Sequence, residues 1–219
     1  MLAAMEAARI AALLEPFLGG VPVSAQLTAQ LQAYLDLLLR WNSRINLTAV
    51  RDPDRIVTRH FGESLFAARV LREAGTFAAP PIFPMTLADV GSGAGFPGIP
   101  IKLFMPEIHL TLIESQNKKA TFLREAIRTL GVEGAEVVCD RAENWDHKVG
   151  IVTVRAVEKF DNSLPVAAAV VADGGTLCLL IGVDQAKRAQ QALEPEWQFG
   201  PSVRIPQSGE RVVLMGKLI

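Results

Sequence analysis

Two cysteines in 219 residues, Cys139 and Cys178, are too few for a disulfide framework. Both fall in expected buried strands and point to a reduced setting. No apolar run approaches the ~20 residues that span a bilayer. The longest, Leu164 to Ala172, stops at Asp173. The start of the chain carries Glu6 and Arg9 and lacks the charged-then-apolar layout of an export signal, so a cytoplasmic location without membrane contact is expected. Charge of neither sign dominates. A formal net charge of −1 excludes a protein that grips nucleic acid with its whole surface, because phosphate binding scales with the cations brought to the backbone. The three histidines, His60, His109 and His147, have no metal-ligand spacing to a cysteine or to each other, and no metal is expected.

What is present is an ordinary globular composition, half apolar and 21% charged, at a length that suits one well-buried α/β domain plus an appendage. Residues 1–78 read as a helical extension. Leu27, Leu31, Tyr34, Leu35, Leu38 and Trp41 recur at helical spacing, a weaker stripe runs from Met1 to Leu18, and a further helix is expected from Pro53 towards Ala74. Pro16 and the Gly19 to Pro22 segment separate the first two helices, and Ser24 caps the second. Residues 79–84 form a proline-rich linker. From Met85 to Ile219 strands and helices alternate, which means parallel strands with crossover helices. The end, Gln198 to Ile205, a turn at Pro206 to Gly209, and Arg211 to Lys217, reads as a hairpin. An α/β sheet of seven mostly parallel strands with a terminal antiparallel hairpin is the Rossmann-like class I arrangement of S-adenosylmethionine-dependent methyltransferases.

The first expected strand, Thr86 to Val90, runs into Gly91-Ser92-Gly93-Ala94-Gly95-Phe96-Pro97-Gly98. Glycines there let the backbone turn tightly and approach a ligand. Glu114, closing the next strand, is placed to accept hydrogen bonds from a ribose. Two registers fit. Gly91, Gly93 and Gly95 with Asp89 ahead suit a sulfonium-bearing methyl donor, which a carboxylate at the strand tip attracts. Gly93, Gly95 and Gly98 match the pyrophosphate turn of an NAD(P)-dependent oxidoreductase. Pro97, Pro100 and the Asp89 charge oppose the second.

Ligands of open α/β sheets bind beyond the carboxyl ends of the strands. The informative exits are therefore Asp89, Glu114, Asp140-Arg141-Ala142-Glu143 and Arg155-Ala156. Backbone amides at Ala142 and Glu143 suit an adenine edge, and a helix-start carboxylate explains Glu143 equally well. Arg155 follows the apolar Ile151 to Val154, where a desolvated charge needs a partner. Its replacement by alanine is expected to lower turnover with little loss of stability. The fourth exit lacks the Asn/Asp-Pro-Pro-aromatic cluster that polarises an exocyclic amine, and neither cysteine has the loop context of a carbon-5 nucleophile. A ring nitrogen such as guanine N7 needs no proton removed, so positioning and desolvation suffice.

These motifs together resemble the small-subunit (16S) ribosomal RNA guanine-N7 methyltransferases, the glucose-inhibited division protein B family. The likeness runs from Leu35 to Gly182. Trp41-Asn42-Ser43-Arg44-Ile45-Asn46-Leu47-Thr48 to Asp52, Arg59-His60, the Asp89 to Pro100 loop, Glu114-Ser115 with Lys118-Lys119, Arg141-Ala142-Glu143 and Arg155-Ala156 follow the family pattern in order. The resemblance implies an S-adenosylmethionine pocket lined by Asp89, Gly91, Gly93, Gly95, Phe96, Ala142, Glu143 and Arg155, with Glu114 on the ribose. It implies that Asn46, His60, Lys118, Lys119 and Arg141 face rRNA or the target base, that Arg141 and Arg155 orient donor and acceptor, and that 16S rRNA or the small ribosomal subunit is the partner. It also favours phosphate contacts by the arginines of Arg40 to Arg59 and the cations of Lys118 to Arg128 over a merely solvated surface. A non-catalytic RNA-binding module is the remaining alternative. Gly150, Ile181 and Asp140 depart from the pattern, where an acid, a lysine and a small residue are usual.

Overall fold

The computed structural model describes residues 5–75, 85–155 and 160–219. The proline-rich linker and Ala156 lie outside them. Among the described residues no helix is long and apolar enough to cross a membrane.

The chain opens with α1 (Ala7–Leu18) and α2 (Ala25–Asn42). Ser24 caps α2 as expected, its side chain accepting from the Leu27 amide at 3.1 Å. Pro16 does not end α1. It sits inside the last turn, where burial of Phe17 and Leu18 holds the helix until Gly19 closes it at φ 58°. The helix expected from Pro53 is one continuous run with a change of pitch: α3 (Pro53–Ile56), a π-helical segment (Val57–Gly62) and α4 (Glu63–Glu73). Asp52 caps its start by accepting from the Arg55 amide, with Pro53 in the first turn. The wide turn brings Gly62 against α1. A Cβ on Gly62 would lie 2.6 Å from Cε2 of Phe17, a ring with no room to retreat. Gly62→Ala is therefore expected to cost about 1–3 kcal/mol of stability, read from the urea midpoint at unchanged m-value.

From Thr86 the alternation holds: β1 (Thr86–Val90), α5 (Gly98–Phe104), β2 (His109–Ile113), α6 (Asn117–Thr129), β3 (Ala135–Val138), β4 (Val149–Arg155), α7 (Phe160–Val170), β5 (Val171–Gly182) and α8 (Val183–Leu193). Three antiparallel strands follow, β6 (Trp197–Phe199), β7 (Val203–Arg204) and β8 (Arg211–Leu218). The sheet order is β3-β2-β1-β4-β5-β8-β6, with β7 also on β8. The first arm of the expected hairpin is thus two strands instead of one. Trp197 to Phe199 pair with Leu218 to Gly216, and Val203 pairs one residue out of that register with Val213. Pro201, in the gap, has no amide to donate, which favours a bulge there.

Both faces of the sheet are covered, and side chains alternate between them. Leu87, Leu110, Leu112, Ile151, Cys178 and Leu180 join one apolar cluster with α1, α2, α4, α5 and α6. Ala88, Val90, Ile113, Val152, Leu177 and Leu179 join another with α7 and α8. The N-terminal helices therefore share a core with the sheet. Cys178 is buried as expected. Cys139 is not: it follows the half-exposed edge strand β3 and lies at the surface.

Candidate functional site

Parallel strands β1, β2 and β4 end side by side, and their exits build the site. The turn after β1 depends on left-handed backbone, with Gly91 at φ 70°, Gly93 at 56° and Gly95 at 85°. Its conformation is fixed from below. Ser92 Oγ donates to the Asp89 carbonyl at 2.7 Å, and the Gly93 amide donates to Glu114 Oε2 at 2.9 Å. Glu114 Oε1 accepts from the Gln116 amide. The single carboxylate closing β2 thus ties the glycine turn to the next loop.

Asp89 does not present a free carboxylate at the strand tip. Its side chain points into the helix-covered face, 1% exposed. Oδ1 accepts from the hydroxyl of Thr153, its neighbour on β4, at 2.7 Å, and Oδ2 accepts from the Gly98 amide at 3.2 Å. Asp89 is a brace beneath the turn.

Two clefts meet at Gly91 and Glu114. The first, about 380 Å³, is lined by Val90, Ile113, Asp140 to Glu143 and the first turns of α7. The second, about 580 Å³, runs between the glycine turn and the Asn46 to Val50 loop, with Arg59, His60, Phe96, Lys119 and Arg155 on its walls. Asn46 and His60 are brought together here, as the motif order implies. Arg141 and Arg155 are not: they line different clefts. Arg155 and Phe96 also stand apart from Ala142 and Glu143. Gly95 lines neither cleft, because its backbone is packed against Ile99 and Tyr34. Lys118 is exposed on the first turn of α6, outside both. Asp140 accepts from the Arg141 amide and from Asn144, holding the short 3-10 turn Ala142–Asn144. Ile181 is buried in the core, so this position supplies no cation.

The loop forming the far wall of the second cleft is anchored by Asn42. Its Oδ1 accepts from the Leu47 and Thr48 amides, and its Nδ2 donates to the Thr48 carbonyl. Behind the loop an aromatic stack joins α2 to the glycine turn. Tyr34 lies 5.3 Å from both Phe61 and Phe96, and its hydroxyl donates to the Ala94 carbonyl. His60 stacks on Phe96 at 4.8 Å.

Arg155 has the partner its position demands. Nη2 lies 3.3 Å from Glu63 Oε2, donates to the Arg59 carbonyl at 2.7 Å, and lies 2.9 Å from His60 Nδ1. A guanidinium cannot accept a hydrogen bond, so Nδ1 of His60 must. His60 therefore carries its proton on Nε2, which donates to Thr48 Oγ1 at 2.8 Å. Burial, with the charges of Arg155, Arg59 and Arg211, holds the His60 pKa down to about 2, so the ring stays neutral. Neither nitrogen is left as a free base.

Burial pushes Asp89 up to about 7, against the hydrogen bonds from Thr153 and Gly98. The two groups pull stability in opposite directions. Asp89 titrates near 3.8 unfolded, so its folded state holds a proton that is lost as pH rises to about 7, and stability falls across that window. His60 titrates near 6.5 unfolded, so its contribution is present above 6.5 and lost as pH falls. Asp89→Asn removes only the first. Acidification from pH 7 to about pH 5 should stabilise the native protein by about 2 kcal/mol relative to this variant. Urea unfolding of both across that range checks it, and parallel profiles would contradict the Asp89 assignment.

Sequence reasoning missed Thr48, Thr153, Glu63 and Arg211. For Glu63 a signal existed: an acid three residues after His60 shares its helix face, among Phe61, Leu65 and Phe66.

The model of one family, described as rRNA small subunit methyltransferase G, matches residues 27–206. A protein of Xanthomonas euvesicatoria named "Ribosomal RNA small subunit methyltransferase G" is 40% identical over 193 residues, covering 87% of this chain and 85% of its own. One of the same name from Chloroflexus aggregans is 37% identical over 183 residues, covering 80% and 73%. Among solved structures, a SAM-dependent methyltransferase from Aquifex aeolicus superposes with a TM-score of 0.58 at 18% identity, over 77% of this chain and 94% of that one. The ribosomal protein L11 methylase of Lactobacillus delbrueckii subsp. bulgaricus gives 0.55 at 18% identity, over 72% and 79%. The two solved structures carry the fold, and the family model and close relatives carry more: this chain belongs to the rRNA small subunit methyltransferase G family.

Proposed function

We propose that this protein moves the methyl group of S-adenosylmethionine to N7 of a guanine in small-subunit ribosomal RNA. Family membership supports the reaction class, the donor and the rRNA substrate. The choice of ring nitrogen rests on the family resemblance together with one observation: among the described residues the second cleft offers no unoccupied base, since both oxygens of Glu114 accept from the Gly93 and Gln116 amides. His60 is neutral with Nδ1 facing Arg155 and Nε2 facing Thr48. An acceptor whose lone pair already lies in the ring plane suits such a site, because nothing has to be deprotonated.

The first cleft fits the donor. Its lining combines the Glu114 carboxylate, glycine backbone and apolar Val90, Ile113 and Val166, with Arg141 its only lysine or arginine among the described residues. That set suits a nucleoside without a pyrophosphate and disfavours the dinucleotide alternative. When bound, the donor supplies an electrophilic methyl group on a sulfonium. Gly91 gives close backbone approach within this cleft and Gly93 from the second-cleft side of the same turn, Glu114 takes the ribose hydroxyls, and Ala142 and Glu143 take the adenine edge. Asp89 acts beneath the turn by fixing its shape. In the second cleft Asn46, His60 and Arg155 hold the base, with Phe96 beneath them. Lys119 on the wall, with Lys118 and Arg141 on the exposed flanks, meets RNA phosphates.

The test is transfer from labelled S-adenosylmethionine to small subunits lacking the modification. Label should enter 16S rRNA at one guanosine, where borohydride and aniline then cleave the chain as they do at N7-methylguanosine. Label at a position resistant to that scission overturns the N7 assignment. Donor binding without transfer leaves only an RNA-binding role.

A further inference from the structure

We infer that Glu63 is a positioning residue for methyl transfer: it anchors Arg155, and through Arg155 it holds His60 in one tautomer and one orientation against the Thr48 wall of the second cleft. The inference rests on the functional reading above for its kinetic arm and on the geometry alone for its tautomer arm.

Glu63 stands at the first turn of α4, 1% exposed, among Phe61, Ser64 and Leu65. A carboxylate that deep is tolerated only when answered by charge or hydrogen bonds. Two cations answer it from two different strands. Arg211, opening β8, donates from Nη2 to Oε1, and Arg155, closing β4, approaches Oε2 at 3.3 Å. Glu63 thereby pins the helical run to two strands of the sheet. It does not line the second cleft, so it acts on anything bound there through other side chains.

The path outward is a set of one-way hydrogen bonds. Arg155 Nη2 donates to His60 Nδ1, so His60 Nε2 donates to Thr48 Oγ1, which also accepts from the Val50 amide at 3.1 Å. Each step is directional because arginine has donors only. Without the carboxylate, Arg155 keeps the Arg59 carbonyl but loses its counter-charge, and it faces Arg211 unshielded. Its guanidinium then moves, Nδ1 of His60 loses its donor, and the Nε2–H form is no longer imposed. The ring and the Thr48 wall lose their fixed relation to Phe96.

The chain has three histidines, so uniform ¹⁵N-histidine labelling of the full protein gives few enough imidazole signals to assign His60 by a His60→Gln control. The wild type should show His60 as a single neutral Nε2–H tautomer at neutral pH. Glu63→Gln should show a mixed or Nδ1–H form. In labelled-donor assays its kcat should fall about tenfold or more, with affinity for S-adenosylhomocysteine within about twofold, since the donor cleft does not touch Glu63. Glu63→Asp keeps the charge and should recover part of both. If Glu63→Gln does not fold, the double variant Glu63→Gln/Arg211→Gln removes one charge of each sign and tests the same link. A folded variant whose His60 signals match the wild type overturns the inference, as does a changed tautomer with unchanged kcat. A wild type that transfers no methyl group overturns the functional reading, while the tautomer comparison still decides whether Glu63 governs His60.

Discussion

Gly93→Asp should weaken binding of S-adenosylhomocysteine by about 100-fold or more while the protein stays folded. The backbone at Gly93 has φ 56°, a left-handed conformation that aspartate adopts at a cost of about 1 kcal/mol. A Cβ there meets nothing nearer than the Gly91 carbonyl at 3.8 Å, so there is space for it. That space belongs to the second cleft, beside Glu114, which already accepts from the Gly93 amide. The introduced carboxylate fills room at the junction of the two clefts and faces Glu114. Two like charges about 4 Å apart repel by roughly 4 kcal/mol at an intermediate effective dielectric, enough to turn the Glu114 carboxylate away from a ribose, and that lost contact together with the filled volume is what should cost the roughly 2.7 kcal/mol of a 100-fold loss in affinity. Gly95→Ala makes the contrast. At φ 85° its Cβ lies 2.6 Å from Ile99 Cδ1 and against the Tyr34 hydroxyl. Strain and overpacking together should cost about 2–5 kcal/mol of stability. Calorimetric titration and urea unfolding separate the two effects. Normal donor affinity in folded Gly93→Asp would remove the glycine turn from the site.

Why Gly93 opens on a cleft and Gly95 on the core was not legible in the sequence, although the turn itself was. Strands β1 and β2 were legible to the residue, because parallel strands covered on both sides read as short apolar runs between turns. The same double burial hid the direction of Asp89. Leu87 and Asp89 share one face and Ala88 and Val90 the other, but with both faces covered the alternation carries no inside-outside signal. The break between β6 and β7 escaped because a register slip of one residue is a property of the pair of strands and not of either alone. Arg155 was legible as a strand exit that needs a partner. Its partner, Glu63, comes from the N-terminal helices, and nothing local to β4 names it.

That partner changes what Arg155→Ala should do. Turnover should fall about 100-fold, and stability should fall too, by about 2–4 kcal/mol, where the sequence alone led to the expectation of a silent fold. The guanidinium is buried, its pKa lowered to about 10 chiefly by desolvation, and it is engaged by Glu63, the Arg59 carbonyl, His60 and the face of Phe96 at 5.9 Å. Truncation leaves the Arg59 carbonyl and His60 Nδ1 without their donor and creates a cavity beside an aromatic ring. The loss stays below that of a fully orphaned buried acid, because Arg211 remains on Glu63. Arg155→Lys separates stability from turnover. An ammonium restores the charge opposite Glu63 and should recover most of the stability. All three polar contacts come from Nη2, at the far end of the side chain, which the shorter lysine does not reach, and an ammonium does not lie flat over Phe96, so turnover should stay low. Urea midpoints and single-turnover methyl transfer on small subunits measure the two quantities independently. Equal recovery of both in Arg155→Lys would mean that charge alone matters at β4's exit, and the orientation of His60 would then have no part in holding the base.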